Sequence, residues 1–219
     1  MTGGHTNVSE MSDRPLLSDH FTDALVKACL WHGSQKRKKE HVTIPYVSHL
    51  LAVASLVLED GGTEDQAIAG LLHDSVEDQG IELGTLVARY GAEVARIVDA
   101  CSDAAGKVGE KKPPWKERKL HHLAKLRTLG PDEGVLRVTA ADKLHNCRDI
   151  VADVRQQGIA RLAGFNGGID GTCWYYREMA LLLEHNLPDS RLTSDLGREA
   201  RLLHQFAGLE FAAEESPSV

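Results

Sequence analysis

LLHDSVED, residues 71–78, sets a histidine, two aspartates and a glutamate into the tail of an apolar run. Leu71 and Leu72 mark the start of an interior, where a charge without a partner is costly or is neutralised by a shifted pKa. Something must hold these groups. On a continuous helix His73 and Glu77 are four apart, as are Asp74 and Asp78, so the two pairs lie one turn apart on adjoining strips of one surface.

The flanks support a helix here. Thr63 and Gln66 form a capping-box pattern that opens it, and Gly80 ends it. Upstream, Ser18 or Asp19 caps a first helix that carries Phe21, Leu25, Cys29 and His32 on one face. Pro45 starts a second helix, which runs through Glu59 and stops at Gly61 and Gly62. Downstream, helices are expected over 82–90 and 92–101, then over 116–128 and 132–157 on either side of Gly130 and Pro131. After the breaker cluster GFNGGIDG (164–171) come two more, over 171–186 and 190–211, divided by Pro188. Residues 1–17 read as a flexible arm, and 102–115 (SDAAGKVGEKKPPW) as a flexible loop. No β run and no repeat is visible, so the expected fold class is all-α.

Composition narrows the function. The 219 residues suffice for one sizeable core, and 42% hydrophobic with 26% charged is ordinary for a soluble domain. A formal charge of −7 argues against a general nucleic-acid binder but leaves room for a local basic pocket. Cys29, Cys101, Cys147 and Cys173 are scattered with no CxxC pair, and read as small buried hydrophobes in a reducing compartment. With no secretory leader and no long apolar run, a cytoplasmic protein that does not enter a membrane is expected.

A second polar cluster lies in TAADKLHNCRDI (139–150), where Asp142, Asn146 and Asp149 fall at i, i+4 and i+7, one helical face. With His32 on the inward stripe of the first helix, three helices can each offer a ligand to one point. His32, His73, Asp74 and Asp142 make a set of two histidines and two carboxylates, which suits one ion such as Mn²⁺ or Fe²⁺ with positions left for water and substrate. The lack of thiolates argues against structural zinc. His49 and His145 are set aside as ligands, and His121 and His122 read as a surface pair. The cationic run Lys36–Lys39 sits four residues beyond His32, where it can face phosphate.

Together these pieces resemble the HD-domain metal phosphohydrolases, and in particular the RelA/SpoT-type hydrolases of the alarmone (p)ppGpp. The matching segments are HGSQKRK (32–38), IPYVSHLLAVA (44–54), AGLLHDSVED (69–78), YGAEVARIVDACSD (90–103) and AADKLHNCRDI (140–150), in family order. The resemblance implies an HD-domain helical bundle with its metal site between helices, and Mn²⁺ held by His32, His73, Asp74 and Asp142. It makes Glu77 and Asp78 the acidic pair that orients and deprotonates the attacking water. Arg37 and Lys38 then contact base and phosphates of a small-molecule nucleotide, and Asn146 contacts the nucleoside.

The implied reaction releases the 3′-pyrophosphate of ppGpp. The alternatives are hydrolysis of another phosphorylated nucleotide, such as an adenosine alarmone or NADPH, or an HD module that binds without turnover. Two departures touch base choice: the loop from Lys38 to Pro45 is longer than usual, and Leu50 follows His49 where the family commonly has Pro. The segment beyond residue 155 is too short for the synthetase domain of the long bifunctional members. The expected division is an arm (1–17), a phosphohydrolase core (18–157) and C-terminal helices packed on it (158–219).

Overall fold

A computed structural model describes residues 16–39, 42–102 and 113–212. The described chain is all-α: α1 (Asp19–Trp31), α2 (Val47–Glu59), α3 (Glu64–Leu72), α4 (Ser75–Gln79), α5 (Leu83–Tyr90), α6 (Ala92–Cys101), α7 (Trp115–Leu129), α8 (Glu133–Gln157), α9 (Gly168–Asn186) and α10 (Arg191–Ala207). A 3-10 helix, Ile159–Gly164, lies between α8 and α9. No helix among the described residues is long and apolar enough to cross a membrane.

The ends follow local chemistry. Ser18 caps α1 by accepting from the His20 amide, Thr63 and Gln66 form the full capping box of α3, and Asp132 accepts from Val135 at the start of α8. Gly80 closes α4 at φ 66°, a left-handed conformation that L side chains rarely adopt. Small residues then let helices approach closely. A Cβ on Gly70 of α3 would meet the backbone of Ala54 on α2 at 3.3 Å. The core between α2, α3, α6 and α8 is built from Leu50, Val53, Leu71, Ile97, Leu136 and Leu144, all fully buried.

Several sequence expectations shift. The helix expected through LLHDSVED is broken: α3 ends at Leu72, and α4 restarts with Asp74 as its N-cap at ψ −1°. Burial falls along this stretch, with His73 buried, Asp74 and Glu77 half-buried and Asp78 exposed. On α1 the inward face is Ala24 and Ala28, the small residues that let α1 close on α3, so Cys29 is exposed. Cys101 is half-buried, and only Cys147 and Cys173 fit the buried reading.

His122 is buried, with Nδ1 3.3 Å from the Tyr175 hydroxyl, so His121 and His122 are not a surface pair. Pro45 precedes α2 and pairs with Lys36 in an isolated antiparallel bridge. The glycines of 164–171 do not exclude helix, since α9 begins at Gly168, whereas α10 stops at Ala207, where Gly208 turns left-handed at φ 67°. Of the expected flexible segments, residues 1–15 and 103–112 lie outside the described residues, as do residues 40–41 of the cationic loop.

The last helices join the rest through α10, whose buried Leu192, Leu196, Ala200 and Leu203 pack on α8 and α9. Asp60, after α2, anchors this join. Its carboxylate accepts from Arg137 Nε at 3.0 Å, Ser190 Oγ at 2.8 Å and the Arg191 amide at 3.0 Å, and its side chain is only 5% exposed. Asp60→Ala removes the buried carboxylate that Arg137, Ser190 and the Arg191 amide share, so it should lower unfolding stability by about 3 kcal/mol in denaturant titration. A loss under about 1 kcal/mol, the range of exposed pairs, would show the join to be peripheral.

Candidate metal centre

His49, His73, Asp74 and Asp142 converge between α2, α3 and α8, with His32 at the end of α1 stacked on Tyr46 beside them. His32 caps the C-terminus of α1, His49 lies in the first turn of α2, His73 and Asp74 fill the break between α3 and α4, and Asp142 lies within α8. His49, His73 and Asp74 bring ligand atoms within 4.8 Å of one another. Asp142 Oδ1 lies 3.2 Å from His49 Nε2 and 3.7 Å from His73 Nε2, while Asp74 Oδ2 lies 3.0 Å from His73 Nε2. Tyr46 braces the group: its hydroxyl donates to Asp74, and its ring stacks on His32 at 5.4 Å between centroids.

Hydrogen bonding decides which nitrogens face inward. His73 Nδ1 lies 2.9 Å from the Gly70 carbonyl, which only accepts, so Nδ1 carries a proton. His32 Nδ1 lies 2.7 Å from Gln35 Oε1. The Gln35 amide is oriented by Asp78, whose Oδ2 accepts from Gln35 Nε2 at 2.7 Å, so Oε1 must face His32. The Nε2 atoms of His32, His49 and His73 are all buried with no hydrogen bond. Buried nitrogens left unbonded beside two carboxylates are what a cation site offers.

Burial pushes the His73 imidazole down, but Asp74 and Asp142 reverse this and hold its pKa well above the ordinary value. Burial raises both carboxyls, yet His73 holds Asp74 below the usual range, and Lys143 with His49 and His73 holds Asp142 well below it. Protonated His73 thus serves as the cluster's counter-charge. The imidazole and carboxylate donors fit a borderline-hard divalent cation.

The centre opens into a cavity of about 610 Å³. Glu77 and Asp78 line it from α4, Asn146 from α8, and Arg37 and Lys38 from the loop before α2. The opposite wall holds Trp115, Lys119, Arg161 and Tyr175. Arg37 is docked on α8 through Asp149 at 3.0 Å, and Lys39 bridges Asp149 and Asp153 at 2.7 and 2.6 Å. Asn146 donates to Asp142 Oδ1 at 2.5 Å.

Of the sequence-expected residues, Arg37, Lys38, Asp74, Glu77, Asp78, Asp142 and Asn146 line one cavity; His73 contacts both Asp74 and Asp142, and His32 stacks on Tyr46, outside the group of His49, His73 and Asp74. His49, set aside in the sequence, is at the centre. The signal was its spacing: His49, Val53 and Val57 form the buried stripe of α2.

An all-α fold with this histidine and aspartate centre defines an HD domain. A family profile described as HD domain matches residues 24–164, and the chain belongs to that family. Among curated relatives, the mouse guanosine-3′,5′-bis(diphosphate) 3′-pyrophosphohydrolase MESH1 is 34% identical over 118 residues, covering 53% of this chain and 62% of its own. The human protein of the same name matches to the same extent. A GTP pyrophosphokinase of Streptomyces coelicolor is 36% identical over 119 residues, 54% of this chain but 13% of its own. The match thus spans about three fifths of the MESH1 relatives.

Among solved structures, one titled as a metazoan ortholog of SpoT that hydrolyzes ppGpp superposes with a TM-score of 0.65 at 22% identity, covering 91% of this chain and all of its own. It supports the fold. A crystal structure from Listeria monocytogenes EGD-e gives 0.62 at 27% identity over 74% of this chain and 99% of its own.

Two outcomes follow from the centre. Asp74→Ala should lose the bound cation in elemental analysis, together with the rise in melting temperature that a ligand of the folded state confers; a full metal complement in the variant would remove Asp74 from the centre. Because His73 must give up its proton to the cation, affinity should weaken towards acid and strengthen through neutrality, about tenfold per pH unit for one proton released. Calorimetry in buffers of different ionisation enthalpy reads that proton, and its absence would refute the counter-charge role.

Proposed function

We propose that the chain is a cytoplasmic guanosine-3′,5′-bis(diphosphate) 3′-pyrophosphohydrolase that converts ppGpp to GDP and pyrophosphate with one Mn²⁺. The observation that carries this reading is the inward-facing cluster of imidazole Nε2 and carboxylate oxygens opening on a cavity with cations along its rim. The names of the MESH1 relatives supply the substrate class.

His32, His73, Asp74 and Asp142 hold the ion. When bound, such an ion polarises a phosphoryl oxygen and brings the pKa of its water towards neutrality. Asp78, held by Gln35, orients the attacking water, and Glu77 accepts its proton. The water oxygen bonds to the phosphorus attached to the ribose 3′ oxygen, the bond to that oxygen breaks, and the 3′ oxygen leaves by taking up a proton from solvent, while Glu77 later returns its own to solvent.

Arg37 and Lys38 take up base and phosphate. Asp149 holds the Arg37 guanidinium in place before substrate arrives, which lowers the ordering cost of binding. The Asn146 amide nitrogen is committed to Asp142, so its oxygen is the atom offered to the nucleoside. The same reading divides the chain into an arm (1–17), a phosphohydrolase core (18–157) and C-terminal helices (158–219). The cavity lining by Arg161, Phe165 and Tyr175 supports a contribution from the last of these.

Incubation with ppGpp and Mn²⁺ should release intact pyrophosphate and GDP, and chelator should stop the reaction. Glu77→Gln should keep its metal while turnover falls by roughly 10²–10⁴, the scale of a positioned proton acceptor. Arg37→Ala should chiefly raise KM, since base binding is lost about equally in ground and transition states. The adenosine alarmone belongs in the same assay because the loop before α2 departs from the family pattern. Orthophosphate as first product, or no turnover of ppGpp with metal bound, would defeat the proposal.

A further inference from the structure

The two carboxylates that α4 turns to the cavity, Glu77 and Asp78, stand on a helix of five residues whose N-cap, Asp74, makes no side-chain capping bond. One turn of helix does not hold itself, because ordering it costs more than its few hydrogen bonds return. The position of α4 must come from its neighbours. Val76 packs against the core, and α4 also meets α1.

Where α4 meets α1, a single amide is gripped from both sides. Gln35, just after α1, donates through Nε2 to Asp78 Oδ2 at 2.7 Å and accepts at Oε1 from Gln79 Nε2 at 2.5 Å. Asp78 and Gln79 are consecutive on α4, so the helix holds the donor end with one residue and the acceptor end with the next. The Gln35 backbone is fixed as well. Its amide donates to the His32 carbonyl at 3.0 Å, and its carbonyl accepts from the Tyr46 amide at 3.0 Å.

Oε1 of Gln35 also lies 2.7 Å from His32 Nδ1. Held by His32 and Asp78 alone, the amide has two points of attachment and can swing about the line between them. Gln79 adds a third point, which stops the swing. A carbonyl oxygen has two lone pairs, enough for both contacts at Oε1. Of the residues on α4 that grip Gln35, Asp78 lines the cavity beside it.

We propose that Gln79 is a positioning residue: by holding Gln35 Oε1 it fixes the plane of the Gln35 amide, and through it the direction in which the Asp78 carboxylate meets the attacking water. Oδ2 of Asp78 is committed to Gln35, and Oδ1 is the atom turned to the water. The proposal rests on the water-orienting role given to Asp78 above.

The test compares Gln79→Met, which keeps the length of the side chain without its donor, with Gln79→Glu, which competes with Asp78 for Gln35 Nε2. With ppGpp and Mn²⁺, both should keep wild-type metal content and KM while kcat falls by roughly 10–100-fold, the cost of a carboxylate misplaced by up to about 1 Å. Asp78→Asn is measured beside them. In the wild-type protein, the side-chain amide hydrogens of Gln35 and Gln79 should exchange with solvent more slowly than those of the exposed Gln156 and Gln157.

A fall in Asp78→Asn with wild-type kcat in both Gln79 variants overturns the proposal and leaves the role of Asp78 standing. Wild-type kcat in Asp78→Asn overturns that role and the proposal with it. Loss of metal or a rise in KM in step with the fall in kcat shows a general loosening of the centre and also overturns it. The exchange measurement needs neither turnover nor a variant that folds: side-chain amides of Gln35 and Gln79 that exchange as fast as exposed ones refute the grip directly.

Discussion

The structure turns on a constraint at the ring nitrogens. A neutral imidazole has one donor and one acceptor, so a carbonyl or amide oxygen at Nδ1 leaves a lone pair at Nε2. The Gly70 carbonyl does this to His73 from the preceding turn of α3, and Gln35 does it to His32 from the turn after α1. His73 Nε2 then faces Asp74 and Asp142, where its proton or a bound cation balances the two carboxylates. The break in the helix ladder at His73 and Asp74 serves this geometry. It lets His73 stay with the buried turn of α3 while Glu77 and Asp78 follow α4 to the cavity wall.

α8 does the most to organise the site. Its 25 residues carry Asp142, His145, Asn146, Asp149 and Asp153 along the length that passes the centre and the loop before α2. Asp149 and Asp153 hold Arg37 and Lys39, and the Arg37 amide donates to the Ile44 carbonyl while the Tyr46 amide donates to Gln35. The loop is therefore tied across its base and along its edge. This is how a chain of net charge −7 can keep cations beside one cavity: acidic residues of α8 anchor them, and Asp74 and Asp142 line the same cavity.

The bundle is held at a distance by the same kind of chemistry. Asp60 binds Arg137 of α8 and the cap of α10 at once, so the end of α2, the first half of α8 and the last helix share one buried carboxylate. Movement of α8 along its axis would be felt at both Asp60 and Asp142. A helix pinned at two buried charges keeps Asp142 in register better than one held by apolar packing alone, which is non-directional.

By itself the sequence determined the helical class, most helix ends and which polar clusters are candidates for the site, because caps, breakers and spacing are local. Thr63 with Gln66, Ser18, Asp132 and Gly80 could be read directly, and so could the HD pair, the acidic pair and the Asp142 to Asp149 face. Only the tertiary structure decided which way α1 turns, since Ala24 and Ala28 are inward because α3 is near. It also brought His49 to the centre, buried His122 against Tyr175 and split LLHDSVED between two helices. Tautomers belong to the same class: they depend on which oxygen or nitrogen lies opposite a ring, and for His49 that partner is His145, 96 residues along the chain. Local periodicity carries no information about contacts at that separation, so pairing and tautomer had to come from the packed fold.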